Sequence, residues 1–290
     1  MKKSVLALLL VFAALLGGVS AKVNASITQD RATWLWDPWM IVNDEEGTIA
    51  FLESKQLNKV YLQVDRNIPF GVYQRFIEKA YVKGLQIYAL DGAPGWVAPK
   101  GYIKQDQLMD WLTHYQEISS SHQKFSGVHL DVEPYLYSDW SNKQAATVKS
   151  YQALLLRAKN STHKMNLPFE VDIPFWFDEI RYTNIYGKGF LAEWIIRSTE
   201  GVTIMAYRDR AELITELVKN EVNWAGKYSK SLVIGVETDQ TSEGDNISFF
   251  EEGEDYMNQQ LDQVKSRYEG SAGFGGIAVH HVGSWMKIKP

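Results

Sequence analysis

Cysteine is absent from all 290 residues of the chain. This absence excludes disulfide bridges, thiolate metal ligands and a cysteine nucleophile, so the fold must rely on its buried core. An excess of basic residues is also lacking, because 30 lysines and arginines stand against 35 aspartates and glutamates, for a net charge of −5. Without a basic surface, the chain is not expected to bind nucleic acid.

Long hydrophobic runs are lacking everywhere except at the start of the chain. Two lysines there precede an apolar run from Val5 to Leu16 and then small residues up to Ala21. This order is typical of a secretory signal peptide, residues 1–21, with Ala25 marking a second possible cleavage point. An uncleaved N-terminal anchor is the alternative. We therefore expect a secreted or cell-surface protein whose mature chain has no membrane span and is a monomer.

The remaining chain alternates short apolar runs with amphipathic helical patterns. The strand-like runs cover residues 33–39, 59–65, 85–92, 125–135, 168–177, 201–209, 231–239 and 273–285. Strands that alternate with helices pair in parallel, and eight such units in about 250 residues fit an α/β fold of the (β/α)₈ TIM-barrel type. An open doubly wound sheet is the rival fold, but no glycine-rich phosphate turn follows the first strand. We predict a single barrel domain over residues 30–290.

Acidic and other polar residues collect where the predicted strands end, and the strand starts carry no acid. The strand ends hold Asp37, Asp65, Asp91, Asp131 with Glu133, Asp172, Tyr207 with Asp209, Glu237 with Asp239, and His280 with His281. Catalytic groups of TIM barrels lie at this C-terminal face. Helix capping is an alternative explanation for the acids at 91, 209 and 239.

Capping does not explain the fourth strand, "FSGVHLDVEPY", where two acids lie inside the apolar run. Residues two apart on a strand point to the same face, so His129, Asp131 and Glu133 are predicted to face one side. We interpret this side as the interior of the barrel mouth and Glu133 as a catalytic acid.

The same stretch resembles the fourth-strand signature of glycoside hydrolase family 18 (chitinase-like proteins), D-G-x-D-x-D-x-E. Gly127, Asp131 and Glu133 match, whereas Ser126 and His129 stand where that family has aspartates. The segment "MAYRD" is similar to the family's M-x-Y-D segment at Met205 and Tyr207, with Arg208 in place of the acid. The segment "HHVGSW" offers Trp285 for the tryptophan that forms the family's sugar-binding floor.

The resemblance implies a secreted enzyme that cleaves a polysaccharide containing N-acetylhexosamine, without a cofactor. Glu133 would be the general acid that protonates the glycosidic oxygen. Asp131 would orient the substrate's 2-acetamido group, which attacks the anomeric carbon in place of an enzyme nucleophile. Tyr207 would donate a hydrogen bond to the acetamido carbonyl.

Two alternatives remain open at this point. A two-carboxylate retaining glycosidase would use Glu133 as acid/base and Glu237, at the end of the seventh strand, as nucleophile. A catalytically silent carbohydrate-binding barrel would account for the departures at Ser126, His129 and Arg208.

Further strand-end side chains are predicted to line the bound oligosaccharide. Trp34 and Trp36 share one face and fit either a sugar subsite or the barrel core, and Trp96 is predicted to lie over the rim. The full set of substrate-binding candidates is Trp36, Asp37, Asp65, Trp96, His129, Asp172, Glu237, His280 and Trp285. We expect no metal site, because the adjacent histidines 280 and 281 point to opposite faces of a strand and no spaced partner histidine accompanies them.

Overall fold

The computed structural model describes residues 29–290, and the predicted signal peptide lies outside them. Eight parallel strands close into a barrel: β1 (Asp30–Leu35), β2 (Lys59–Gln63), β3 (Gln86–Asp91), β4 (Gly127–Leu130), β5 (Phe169–Pro174), β8 (Gly201–Met205), β9 (Ser231–Glu237) and β10 (Phe274–His280). A separate antiparallel hairpin consists of β6 (Arg181–Asn184) and β7 (Gly187–Phe190). Around the barrel, the order of the strands is β1-β2-β3-β4-β5-β8-β9-β10, and β10 pairs back onto β1.

Helices between the strands form the outer layer. They are α1 (Met40–Asn43), α2 (Glu45–Ser54), α3 (Phe70–Val82), α4 (Tyr102–Ile118), α5 (Trp140–Lys164), α6 (Leu191–Ser198), α7 (Ala211–Leu217), α8 (Lys219–Tyr228), α9 (Glu254–Tyr268) and α10 (Val282–Trp285). The predicted (β/α)₈ barrel is therefore confirmed. Within residues 29–290, no helix combines the length and the apolar character that crossing a bilayer requires.

The layer between sheet and helices is apolar because each strand sends every second side chain outward. On the fourth strand, Val128, Leu130 and Val132 are almost completely buried in this layer. Helix α3 contributes to this layer the consecutive buried residues Phe76 and Ile77. This layer is the main hydrophobic core, and it fixes the direction in which the alternate side chains enter the barrel.

The barrel interior combines aromatic rings with buried charges. Trp34 packs edge-on against Tyr61, and Tyr61 packs edge-on against Tyr88. Near the N-terminal end, the Lys59 ammonium contacts Glu170 at 2.9 Å. The interior therefore differs from the packed core of branched aliphatic side chains that commonly fills such barrels.

Three details differ from the sequence prediction. The ladder of the fourth strand ends at Leu130, earlier than the predicted end at 135, and a 3-10 turn begins at Pro134. The β6–β7 hairpin was not predicted, since its strands are short, polar and mostly exposed. The single helix expected between the predicted strands at residues 201–209 and 231–239 is divided into two helices at Val218.

Candidate active site

The end of the fourth strand places two acids at the C-terminal mouth of the barrel. The backbone N–H of Asp131 donates to the Asp91 carbonyl at 3.1 Å, which continues the sheet one residue beyond the β4 ladder. The inward alternation also continues, because Val132 is buried on the outer side between Asp131 and Glu133. The outward position of Val132 therefore agrees with the prediction that His129, Asp131 and Glu133 lie along one inward face.

Glu133 is the acid nearest the rim. Its Oε1 atom accepts a hydrogen bond from the hydroxyl of Tyr135, and its Oε2 atom has no hydrogen-bond partner within residues 29–290. Burial and the charge of Asp172 raise the pKa of Glu133, although the Tyr135 hydrogen bond and His280 oppose this effect. A carboxyl group with one free oxygen and a raised pKa is suited to donating a proton.

Asp131 lies deeper, and its Oδ1 atom is buried without a hydrogen-bond partner among residues 29–290. Burial, Asp172 and Glu133 raise its pKa well above the usual range, whereas His129 opposes the shift. The Asp131 carboxyl group therefore holds a proton more readily than an ordinary aspartate does.

A chain of buried charges runs below Asp131 through the barrel. Lys59 Nζ contacts Asp30 at 2.6 Å and Glu170 at 2.9 Å. His129 continues the chain, with Nδ1 at 3.7 Å from Glu170 Oε2 and Nε2 at 2.9 Å from Asp172 Oδ2. We call these five residues, Asp30, Lys59, Glu170, His129 and Asp172, the buried charge column.

His129 is completely buried and stacks on the Tyr61 ring, with 3.8 Å between the ring centroids. Burial alone would lower the pKa of His129, but Asp172 and Glu170 outweigh burial and raise it to about 9. The imidazole is therefore a cation at neutral pH. His129 and the 2%-exposed Asp172 lie beneath the mouth, so their side chains are closed off from solvent, which differs from the prediction that they line a bound sugar.

A second hydrogen-bonded chain crosses the mouth on the opposite wall. The Trp36 indole Nε1 donates to His280 Nε2 at 2.9 Å, so the other ring nitrogen, Nδ1, carries the proton and faces Glu237 Oε2 at 2.9 Å. Glu237 Oε1 accepts the backbone N–H groups of Thr238 and Asp239, both at 2.8 Å. Both oxygens of Glu237 are thus occupied.

Tyr207 follows β8, so it lies between the acids at the end of β4 and the Glu237–His280 pair at the ends of β9 and β10. Its ring lies 5.8 Å from the His280 ring. Burial, Glu237 and Asp172 raise the pKa of Tyr207 well above its usual value, with smaller contributions from the other two acids of the mouth. The structure therefore brings Tyr207 near the acids, with a hydroxyl that stays protonated and can donate a hydrogen bond.

An aromatic cluster beside Glu133 was not predicted as part of the site. The Tyr135 ring packs edge-on against Trp176, with 5.1 Å between the centroids, and Trp176 packs against Trp140 at 6.1 Å. All three rings are only partly buried. The segments "EPYLYSDW" and "PFWF" could have indicated this cluster, because both are rich in aromatic residues and both follow neighbouring strands.

Asp37 and Asp65 lie on the rim, where they stabilise turns. Asp37 Oδ1 accepts the backbone N–H of Trp39 at 3.0 Å. Asp65 accepts the backbone and side-chain N–H groups of Asn67 and the Trp39 indole N–H at 3.1 Å. Neither carboxylate contacts the acids at the end of the fourth strand.

Two of the predicted sugar-binding tryptophans lie elsewhere. Trp96 is 6% exposed, because the 3-10 turn Pro94–Val97 folds it toward a groove of about 300 Å³ on the outside of the barrel. Trp285 is 1% exposed, because α10 turns the chain outward after β10. Its indole donates to Glu254 at 3.1 Å and its ring packs on Phe51, so it does not form the floor of the mouth.

Within residues 29–290, no group of three or more His, Asp and Glu side chains has a metal-binding arrangement. The mouth instead combines the partly buried acid Glu133, the acid Asp131 with its buried Oδ1 atom, a tyrosine hydroxyl and indole rings. This set can protonate a leaving oxygen and hold a neutral polar ligand.

Comparison with known proteins gives matches among solved structures alone. Neither the family models nor the curated proteins match the chain. Among solved structures, a GH18 chitinase from Pseudoalteromonas aurantia has a TM-score of 0.53 at 11% identity, covering 89% of this chain and 97% of its own. A GH18 chitinase from Cycas revoluta in complex with (GlcNAc)3 has a TM-score of 0.51 at 12% identity, covering 89% and 96%.

The spore cortex-lytic enzyme SleL of Bacillus megaterium is also similar. Its TM-score is 0.54 at 11% identity, and the match covers 90% of this chain and 73% of SleL. At these identities, the similarity concerns the fold. The chain is thus a (β/α)₈ barrel with the fold of the family 18 chitinase-like proteins.

Proposed function

We propose that the protein is a glycoside hydrolase that cleaves a polysaccharide containing N-acetylhexosamine by substrate-assisted catalysis. One observation carries the proposal: Asp131 and Glu133 follow the fourth strand at the C-terminal mouth, and burial raises the pKa of both. Substrate assistance requires this pair, one acid for the leaving oxygen and one for the acetamido group.

In the first step, the acetamido carbonyl oxygen attacks the anomeric carbon. The bond from that carbon to the leaving oxygen breaks, and the Glu133 proton moves to the leaving oxygen. Asp131 accepts a hydrogen bond from the acetamido N–H, and the Tyr207 hydroxyl donates to the acetamido oxygen. Glu133, now a carboxylate, then removes a proton from the water that attacks the anomeric carbon. The bond from that carbon to the acetamido oxygen breaks, and the sugar is released with its acetamido group restored.

The nature of the structurally similar proteins supports the choice of sugar. Two of them are GH18 chitinases, and one of these is described in complex with (GlcNAc)3. A third is a spore cortex-lytic enzyme. The partly buried indoles of Trp140 and Trp176, which form a cluster with Tyr135, are suited to stacking on the apolar faces of sugar rings.

The environment of Glu237 argues against the two-carboxylate mechanism. A nucleophilic carboxylate needs an oxygen aimed at the anomeric carbon, but Glu237 Oε1 accepts two backbone N–H groups and Oε2 faces His280. Glu237 is better suited to holding His280, which in turn accepts the Trp36 indole N–H.

Hydrolysis of chromogenic substrates by Glu133→Gln and Glu237→Gln tests the proposal. On an N-acetylglucosaminide, we expect Glu133→Gln to lose about 10²–10⁴-fold in kcat, and Glu237→Gln to retain more activity. The control is Glu243→Gln, in an exposed part of the β9–α9 loop. Equal losses at 133 and 237, with turnover of simple β-glucosides, would support the two-carboxylate scheme.

The silent-barrel alternative predicts a different result. It requires that the folded wild-type protein bind N-acetylglucosamine oligomers in calorimetry without hydrolysing any of them over days. Binding without turnover would overturn the enzymatic proposal and leave a carbohydrate-binding protein.

We also propose that residues 1–21 direct export. N-terminal sequencing of the protein recovered from the medium or cell surface should begin at residue 22, or at residue 26 if cleavage follows Ala25. A start at Met1 on a membrane-bound protein would instead support an uncleaved anchor.

A further inference from the structure

The pairing of β4 with β5 brings a second acid level with Asp131. In the parallel register, His129 lies beside Glu170 and Leu130 beside Val171. Continuing by one residue places Asp131 beside Asp172, and both positions face the barrel interior. The aspartate that family 18 carries at the position of His129 is thus absent from β4, yet a carboxyl group lies next to Asp131 on the neighbouring strand.

Asp172 is held in one orientation. Its Oδ2 atom accepts the Trp34 indole N–H at 2.9 Å and contacts His129 Nε2 at 2.9 Å. Its Oδ1 atom is buried and has no hydrogen-bond partner within residues 29–290, and the same holds for Asp131 Oδ1. Two buried carboxyl oxygens without partners, on adjacent inward positions, are best satisfied by one proton between them.

Electrostatics agree with this geometry. Two carboxyl groups that share a buried space cannot both ionise cheaply, so one of them keeps a proton. After burial, Asp172 is the largest cause that raises the pKa of Asp131. The His129 cation and the Trp34 N–H both stabilise the anionic form of Asp172, which leaves the proton on Asp131.

We infer that Asp172 is the proton partner of Asp131, a positioning residue that supplies from β5 the carboxyl group that His129 has displaced from β4. The inference rests on the proposed function. In the free protein, Asp131 Oδ1–H donates to Asp172 Oδ1. When the acetamido N–H of the substrate approaches Asp131, the proton moves to Asp172 Oδ1, and Asp131 becomes the anionic acceptor. The pair holds one proton before and after this step.

Other titratable groups face the pair from every side. They are His129 and Glu133 on the same chain segment, Tyr61 on β2, Glu170 on β5, Tyr207 after β8, Tyr151 on α5 and Tyr135 in the turn before it. Burial raises the pKa of each tyrosine, so all four stay neutral at neutral pH. The groups near the pair that can carry a charge in this pH range are therefore Glu133, His129 and Glu170.

Infrared spectroscopy of the full protein tests the shared proton without any substrate. Among the protonated-carboxyl bands at neutral pH, to which the buried acid Glu221 also contributes, we expect one that disappears in Asp131→Asn. In Asp172→Asn, the Asp131 band should titrate at lower pH, because the neighbouring negative charge is gone. Glu221→Gln is the matched control, since Glu221 is a completely buried acid on α8 whose loss leaves the Asp131 titration unchanged. An unchanged Asp131 titration in folded Asp172→Asn overturns the inference.

Kinetics test the positioning role. We expect Asp172→Asn to lower kcat about 10²-fold with little change in KM, because the pair acts on the orientation of the acetamido group during reaction. The exchange variant, His129→Asp with Asp172→Asn, returns one carboxyl group beneath Asp131 and should recover at least about tenfold of the lost kcat. A folded exchange variant as inactive as Asp172→Asn counts against the inference. If the exchange variant does not fold, the infrared titrations of the single variants decide.

The two proposals fail separately. If the Asp131 titration depends on Asp172 but the protein hydrolyses no glycan, the shared proton is supported and the proposed function is rejected. Turnover that depends on Glu133, together with independent titration of Asp131, supports the proposed function and rejects the role of Asp172.

Discussion

The α-carbon of Gly92 lies directly against the backbone carbonyl of Asp131, where a Cβ atom would overlap the carbonyl oxygen. Gly92 follows β3, and Asp131 follows β4, so the contact joins the ends of two neighbouring strands. The missing side chain lets the two strands approach closely at the level of the proposed active site.

Gly92→Ala should therefore push Asp131 out of place. We expect kcat/KM on an N-acetylglucosaminide to fall about 10²-fold, since a displacement of about 1 Å at a reacting group costs this much. The matched control is Gly95→Ala in the same loop, where an added Cβ meets no atom within 4 Å. Equal activity of the two folded variants would contradict the tight contact.

The hydrogen bond from Tyr135 to Glu133 sets the pH range of the proposed acid. It stabilises the carboxylate and so opposes the burial that raises the pKa of Glu133. In Tyr135→Phe, this opposing contribution is lost and the Glu133 pKa rises further. The acidic form then persists to higher pH, so the alkaline limb of the kcat/KM profile should move upward. Tyr137→Phe, two residues along the same loop, should leave the limb in place.

Lys59 neutralises the lower end of the buried charge column. Replacing it by methionine removes the closer of the two cations at the buried Glu170 carboxylate and leaves only His129, at 3.7 Å, which should destabilise the protein by about 3–5 kcal/mol. The control is Lys143→Met, which removes an exposed pair with Asp139 and should cost less than about 1 kcal/mol. Urea unfolding at pH 7 measures both values, and equal losses would argue against an energetic role for the column.

Glu221 should make stability depend on pH. Burial and Asp178 raise its pKa to about 8 from an ordinary 4.5. Between these values, the folded state holds a proton that the unfolded state releases, so stability is full below pH 4.5 and falls as the pH rises toward 8. The loss reaches about 4 kcal/mol at pH 8.

Glu221→Gln removes this dependence. Relative to wild type, the variant should gain stability steadily between pH 5 and pH 8 in denaturant unfolding. Glu216→Gln, an exposed acid on α7, serves as the control and should track the wild type. A constant difference between Glu221→Gln and wild type across this range would show that the buried acid has an ordinary pKa.

The sequence allowed prediction of the barrel and of the pair Asp131 and Glu133, because both depend on local periodicity. Alternation along one strand was enough to direct these two acids inward. The neighbour of Asp131 on β5 was not predictable, since its proximity depends on the register between strands about 40 residues apart in sequence.

The errors at the tryptophans have a similar origin. Trp96 and Trp285 lie after strand ends, as sugar-binding residues often do, but their positions depend on turns that no periodic pattern reveals. A 3-10 turn buries the first, and the short helix α10 carries the second into the outer layer. Tyr135 was overlooked although it lies in the fourth-strand segment, because its role depends on a hydrogen bond and not on strand alternation.

The buried charge column also constrains how this barrel can change during evolution. Asp30, Lys59, Glu170, His129 and Asp172 come from β1, β2, β4 and β5, and each lies against a neighbour of opposite charge. Loss of a single member leaves a charge in the barrel without its partner. Substitutions at these positions are therefore viable mainly in compensating pairs. Homologues should therefore vary at these positions together, exchanging whole sets of interior residues and not single ones.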